Sequence, residues 1–237
     1  MYKKVRFLAN IVIIITIISI VSVWLTNDSS VTISGTKEYN AIYSGDENSS
    51  SVSLMFNVYE NTEIVKGIIS VLKEKNVKAT FFVGGTWADD NLETLKLIID
   101  SGFELGNHGY FHKDHKKLSE SYNKQEIENC QNIVYKMTGY KMKLFAPPSG
   151  SYSQTTLKVA KELGLNVIMW SKDTIDWRDS DETLIFNRVK NAKSGDLILM
   201  HPKAHTLNVL PKIIDEIKLK GLEITTVSKC CNLSYEV

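Results

Sequence analysis

The spacing of hydrophobic and polar positions changes three times along this chain, and each change predicts a different kind of structure. Residues 7–25, FLANIVIIITIISIVSVWL, carry no charge and follow Lys3, Lys4 and Arg6. An apolar run of that length spans a bilayer as one helix. The basic flank, residues 1–6, is expected in the cytoplasm and Trp24 at the far interface, so the chain after Thr26 is expected outside the cell membrane. A cleaved signal peptide is the competing reading, but the run exceeds a usual signal core and no A-x-A site follows it. The pattern then turns polar, with Ser, Thr, Asn, Asp and Gly dominant as in Asn48-Ser49-Ser50-Ser51. A stalk or linker over 26–51 is expected.

From residue 52 to the end, short apolar runs alternate with segments of helical period. Strands are predicted over 52–58, 79–83, 104–107, 144–146, 167–170, 196–200 and 223–227. Between them, helices are predicted over 62–75, 90–101, 124–138, 155–163, 184–191 and 209–218. The first of these puts Ile64, Val65, Ile68, Ile69 and Leu72 on one face. Such alternation predicts an α/β domain over 52–237, and its six or more βα repeats point to a distorted or incomplete (β/α) barrel. In barrels, chemistry gathers where strands end and loops begin.

Composition narrows the partners. With 237 residues, 43% of them hydrophobic, the chain supports one full-sized domain. Lys and Arg number 28 against 27 Asp and Glu. That balance offers no basic field for nucleic acid, so none is expected as a partner. The three cysteines, Cys130, Cys230 and Cys231, leave at least one thiol unpaired, and without a C-x2-C pair they do not form a zinc site.

Candidate chemistry lies in the histidines. All five fall in two segments, NHGYFHKDH (His108, His112, His115) and LILMHPKAH (His201, His205). His108 and His112 stand four apart after an apolar run, and two imidazoles at that spacing can face one divalent ion if the segment coils. Zinc suits such a pair, with cobalt and nickel as alternatives. The plainer reading is a pair of hydrogen-bonded structural histidines. His201 follows the apolar run Leu197-Ile198-Leu199-Met200, where an imidazole is placed to deliver a proton near neutral pH. His115 and His205 look like bystanders on polar loops.

Taken together, four ordered motifs resemble those of the polysaccharide deacetylases with a NodB-homology domain. His108 to His112 is similar to that family's metal-binding H-x3-H, FAPPSGSY at 145–152 to its R-P-P-Y-G segment, Asp173 to Trp177 (DTIDW) to its D-x-x-D-W, and Leu199-Met200-His201 to its L-x-H. The resemblance covers about residues 52–227. It implies a metal-dependent hydrolase on a distorted barrel that removes N-acetyl groups from a peptidoglycan- or chitin-like polysaccharide. It further implies His108 and His112 as metal ligands, His201 as the acid with Asp176 orienting it, Asp173 in the catalytic set, and a cleft lined by Tyr59, Pro147, Pro148, Tyr152 and Trp177.

The chain departs from the family pattern at its first motif. Where the family reads T-F-D-D-G, Asn57 takes the position of the aspartate base and Val58 that of the aspartate metal ligand. Ala146 replaces the arginine that pairs with the base. An amide has no useful basicity near pH 7 and an isopropyl group no donor atom. Losing the aspartate and its arginine together avoids the roughly 3–5 kcal/mol of stranding one buried charge. Two readings follow: a hydrolase in which Glu60 or water replaces the missing ligand, and a non-catalytic member that binds glycan or a partner in cell-wall or sporulation processes.

Overall fold

The first apolar run of the α/β region becomes strand β1 (Ser51–Val58), every residue of which is buried. Side chains alternate across a strand, and β1 sorts its residues accordingly. Val52, Leu54, Phe56 and Val58 join an apolar cluster with Val65, Ile68 and Leu72 of helix α1 (Thr62–Glu74), whereas Met55 joins a second cluster with Phe82, Leu144 and Leu199. Even-numbered positions therefore pack under the helices. Odd-numbered ones, including Asn57, face the inside of the barrel.

This arrangement comes from a computed structural model that describes residues 39–234 and, before them, Tyr2, Lys4, Arg6, Ile11 and residues 13–17. The chain divides into two compact units, Met1–Glu38 and Tyr39–Val237. In the first, the described residues are helical and exposed. Most of the expected span over 7–25, and the expected linker as far as residue 38, lie outside the described residues. Among the described residues no helix is long and apolar enough to cross a membrane.

In the second unit β1 is joined by β2 (Thr80–Val83), β3 (Glu104–Asn107), β4 (Leu144–Phe145), β5 (Asn166–Val167), β6 (Lys172–Asp173), β7 (Leu197–Met200) and β8 (Glu223–Thr225). All pairings are parallel, in the order β5-β4-β3-β2-β1-β7-β6, with β8 also on β1. The sheet curls without closing, since β5 and β6 are its two ends. That is the incomplete barrel expected from the repeats. The remaining helices are α2 (Gly85–Asp90), α3 (Leu92–Asp100), α4 (Glu120–Thr138), α5 (Gln154–Glu162), α6 (Glu182–Val189), α7 (Ala204–Leu219) and α8 (Val227–Cys230).

Several boundaries differ from the sequence pattern for identifiable reasons. Helix α7 begins five residues before its expected start and carries Pro211 inside it, a residue whose missing N–H normally marks a break. Helix α4 begins at Glu120 because the Ser119 side chain caps it, accepting from the Tyr122 N–H. The run over 223–227 splits at Thr226, which caps α8 through its side chain.

The expected linker needs a larger correction. Residues 39–50 belong to the folded unit: Ile42 bridges Ile168 in parallel, its N–H donating to the Val167 carbonyl at 2.8 Å and its carbonyl accepting from the Met169 N–H at 2.7 Å. Gly45 N–H donates to the Gly195 carbonyl at 2.7 Å, and Tyr39 and Ala41 pack on the apolar cluster of Leu157 and Val167. The segment extends the sheet beside β5. Its polar composition hid this, because backbone pairing asks little of side chains.

Candidate functional site

A cavity of about 240 Å³ opens at the carboxyl ends of β1, β3, β6 and β7. Asn57, Tyr59, His108, His112, Asp173, Trp177 and His201 line it, and these were all singled out by the sequence. Asp176 stands behind His201. Pro147, Pro148 and Tyr152 fall outside the lining: the prolines lead into the turn that presents Ser149 and Gly150, and the Tyr152 hydroxyl bonds the Tyr43 hydroxyl at 2.6 Å.

His108 directly follows β3 and is 1% exposed. Its Nδ1–H donates to the Ala146 carbonyl at 2.7 Å, which leaves Nε2 as the unprotonated ring atom. Burial, then the proximity of His112, holds this imidazole well below the ordinary histidine range. The intervening loop turns through Gly109 (φ 72) and brings His112 into the left-handed region (φ 55). Glu126 of α4 secures that turn by accepting from the backbone N–H groups of Tyr110 at 3.1 Å and Phe111 at 2.8 Å. As a result the two imidazole rings lie 5.0 Å apart, with Tyr59 against His112 at 4.2 Å.

At the opposite wall, His201 follows β7 and its Nδ1–H donates to Asp176 Oδ1 at 2.7 Å. Asp176 Oδ2 accepts from the His201 backbone N–H and from the Thr206 hydroxyl, each at 2.7 Å. Burial opposes ionisation of Asp176, yet the bonds from His201 and Thr206 outweigh it and hold the carboxyl below its ordinary value. The imidazole is thus fixed in orientation with Nε2 facing the cavity. The loop carrying Asp176 turns at Ile175 (φ 54), an unfavourable conformation for a β-branched residue. It is held there by Asp173 Oδ1, which accepts from the Ile175 N–H at 2.7 Å, and by Arg188, which donates to the Thr174 carbonyl at 2.7 Å.

The histidine pair invites a metal, and the donor set decides whether one fits. Two imidazoles on one tetrahedral zinc, with metal–nitrogen distances of about 2.0–2.1 Å, also have ring centres roughly 5 Å apart. A catalytic site needs a third protein ligand. Val58 occupies that position and packs into the apolar cluster beneath the helices. Glu60, the expected substitute, is ion-paired with Lys203, and Asp173 is engaged with its own loop. Among the described residues no group of three or more His, Cys, Asp or Glu is placed to hold a metal. The expected zinc site is therefore half built: its histidines are assembled and its carboxylate is gone.

Asn57, at the position of the family's base, is 2% exposed, and its Oδ1 is enclosed without a hydrogen-bond partner. Leaving such a group unpaired costs on the order of 1–3 kcal/mol. Ala146 is fully buried, with no guanidinium to complement a charge at position 57.

Sequence reasoning missed several participants. Trp170 lines the cavity, although it read as an ordinary strand residue, and Leu199 of the L-x-H motif lines it as well. Thr206 and Glu126 lie on helices where nothing local marks them. His115 is fully buried instead of lying on a polar surface loop, its Nδ1–H donating to Asn123 Oδ1 at 2.7 Å. His205, the other supposed bystander, donates from Nε2 to the Asp176 carbonyl at 2.8 Å.

The model of the polysaccharide deacetylase family matches residues 44–168. The peptidoglycan-N-acetylglucosamine deacetylase of Bacillus cereus is 33% identical over 84% of this chain and 75% of its own length. Protein YlxY of Bacillus subtilis is 34% identical over 79% of this chain, which spans only 59% of YlxY. Among solved structures, a pseudoenzyme of carbohydrate esterase family 4 from Bacillus anthracis matches with a TM-score of 0.79 at 34% identity, over 81% of this chain and 69% of that one. A mutant of that pseudoenzyme with restored enzymatic activity matches with the same score at 32% identity, over 81% of this chain and 71% of the mutant. Histidines at the ends of β3 and β7, an aspartate locked behind the second, and relatives that span both deacetylases and a pseudoenzyme converge on one assignment: this chain belongs to the polysaccharide deacetylase family, whose reaction breaks the amide carbon–nitrogen bond of N-acetyl groups.

Proposed function

We propose that the protein recognises N-acetylated cell-wall polysaccharide of the peptidoglycan type in this cleft, and that its native residues keep recognition while lacking groups that hydrolysis requires. The observation that carries this reading is the end of β1, where an amide and a valine stand in place of two carboxylates. Deacetylases of this family are in general metal-dependent, the ion polarising the acetyl carbonyl and activating water. Without a third ligand that chemistry has no secure seat here, and Asn57 has no lone pair basic enough to take a proton from water. Recognition depends on other atoms. Trp177 (54% exposed) and Tyr59 (36% exposed) supply aromatic faces at the rim, and Trp170 lines the cavity within. The names of the relatives support peptidoglycan as the polymer. The apolar run over 7–25 supports display of the domain outside the cell, held by a single membrane span.

The decisive experiment compares the native chain with the variant Asn57→Asp/Val58→Asp/Ala146→Arg. The native chain is expected to bind N-acetylated peptidoglycan and to release no acetate above a His201→Ala control with zinc, cobalt or nickel. The triple variant is expected to gain metal-dependent acetate release. A second reading, hydrolysis by the native chain, is favoured by the intact hydrogen-bonded pair of His201 and Asp176. Acetate release by the native chain above the control replaces the first reading with the second.

A further inference from the structure

The amide of Asn57 has a use that its lack of basicity does not suggest. It lines the cavity and is 2% exposed, and its Oδ1 has no partner. A half-turn about χ2 exchanges oxygen and nitrogen, so the amide can turn either its acceptor or its donor towards the cavity that it lines. Buried polar atoms are nearly always bonded. Neighbouring cleft groups are already held from behind: the Nδ1–H groups of His108 and His201 go to Ala146 and Asp176. The Nε2 of His108, whose imidazole burial holds well below the ordinary histidine range, is an acceptor at the cavity wall. An aspartate at 57 would add only further acceptors. An amide adds a donor as well as an acceptor, which matches the carbonyl and N–H of another amide. Leu199 and Trp170 supply apolar wall suited to a methyl group.

We propose that Asn57 is a specificity-determining residue, its side-chain amide pairing with the uncleaved acetamido group of an N-acetylated glycan. The substitution that removes the base thereby converts the position from chemistry to recognition. A sugar with a 2-hydroxyl lacks the amide carbonyl and leaves Asn57 unsatisfied, and sites built to hydrogen-bond a ligand group discriminate strongly against analogues without it. This inference rests on the glycan-binding function proposed above.

The test measures binding of two uncharged probes, tetra-N-acetylchitotetraose and cellotetraose, to the full chain by calorimetry. The native chain is expected to prefer the acetylated tetramer by about tenfold or more, equivalent to about 1.4 kcal/mol. Asn57→Ala and the near-isosteric Asn57→Leu are expected to bring the two dissociation constants to within about threefold, well under that tenfold step. Thermal melting of Asn57→Leu at or above the native temperature verifies that the fold is intact, since the variant removes an unpaired buried polar group. Trp177→Ala is expected to weaken both tetramers together. A preserved preference in folded Asn57→Leu overturns the inference and leaves the proposed function standing, as does equal binding of both probes by the native chain. A native chain that binds neither tetramer overturns the function itself, and the inference with it.

Discussion

Val58 isolates what the catalytic centre has lost, because its side chain packs into the apolar cluster and has no second role. Val58→Asp places a carboxylate among apolar groups with no partner, which is expected to cost on the order of 3–5 kcal/mol. Zinc should recover part of that loss in the variant if the new carboxylate turns out of the apolar cluster to join His108 and His112, and should leave the melting temperature of the native chain unmoved. Equal stabilisation of both proteins by zinc would count against the incomplete donor set. A second residue-scale expectation concerns pH. Burial holds the imidazoles of His108 and His115 below their ordinary value. The unfolded chain therefore binds protons more readily than the folded one, so stability is whole above about pH 6.5 and falls as the pH drops below it. The urea midpoint should decline between about pH 7 and pH 5, and His115→Gln should flatten part of that decline. Asp176 acts in a lower window: its depressed carboxyl contributes stability above about pH 3.8 that is lost on further acidification. An unchanged slope in His115→Gln would mean that this imidazole is protonated within the fold.

Secondary elements determine how well these side chains are held. Helix α4 is the main brace, since Glu126 accepts two backbone N–H groups of the histidine loop, and Asn123 binds His115 while donating to the carbonyls of His115, Leu118 and Ser119. Glu126→Ala leaves both N–H groups unpaired and is expected to destabilise the domain by roughly 2–4 kcal/mol. Amide hydrogen exchange over residues 108–112 should quicken relative to β1, and equal exchange in both segments would remove α4 from this role. Strand contact is as tight on the other side of the loop, where a Cβ added at Gly106 would lie 2.4 Å from the buried Phe82 ring. This division explains what could be read in advance. The strands and the residues at their ends were legible, because an apolar run followed by His or Asp is a local signal. Glu126, Thr206 and Trp170 were not, because their roles depend on partners 15 to 30 or more residues away that only the folded chain supplies. Tyr152, expected along the cleft, is likewise positioned by a distant partner, its hydroxyl bonding that of Tyr43.

At the scale of the whole domain, the open barrel poses a problem that residues 39–50 solve. A sheet that ends at β5 leaves a strand edge whose backbone groups need partners. Ile42 supplies them through two hydrogen bonds beside Val167 and Met169, while Gly45 and Asp46 tie the same segment to the Gly195 and Cys230 carbonyls. Tyr39 and Ala41 add apolar contact, and Tyr43 fixes Tyr152. Had these residues been the free linker that their composition suggests, a chain beginning at residue 52 would be as stable as one beginning at residue 39. The structure predicts otherwise. Removing 39–51 breaks at least four backbone hydrogen bonds, each worth about 0.5–1.5 kcal/mol net. A loss on the order of 2–4 kcal/mol corresponds to a melting temperature lower by roughly 5–15 °C for a domain of this size. Differential scanning calorimetry of the two truncations reads this directly, and matching transitions would return the segment to the role of a linker. The consequence reaches the cleft, because Tyr152 lies two residues beyond Gly150, whose backbone approaches Trp170 so closely that an added Cβ would fall 2.7 Å from the indole. Loss of the segment should therefore weaken glycan binding as well as stability, although none of its residues lines the cavity.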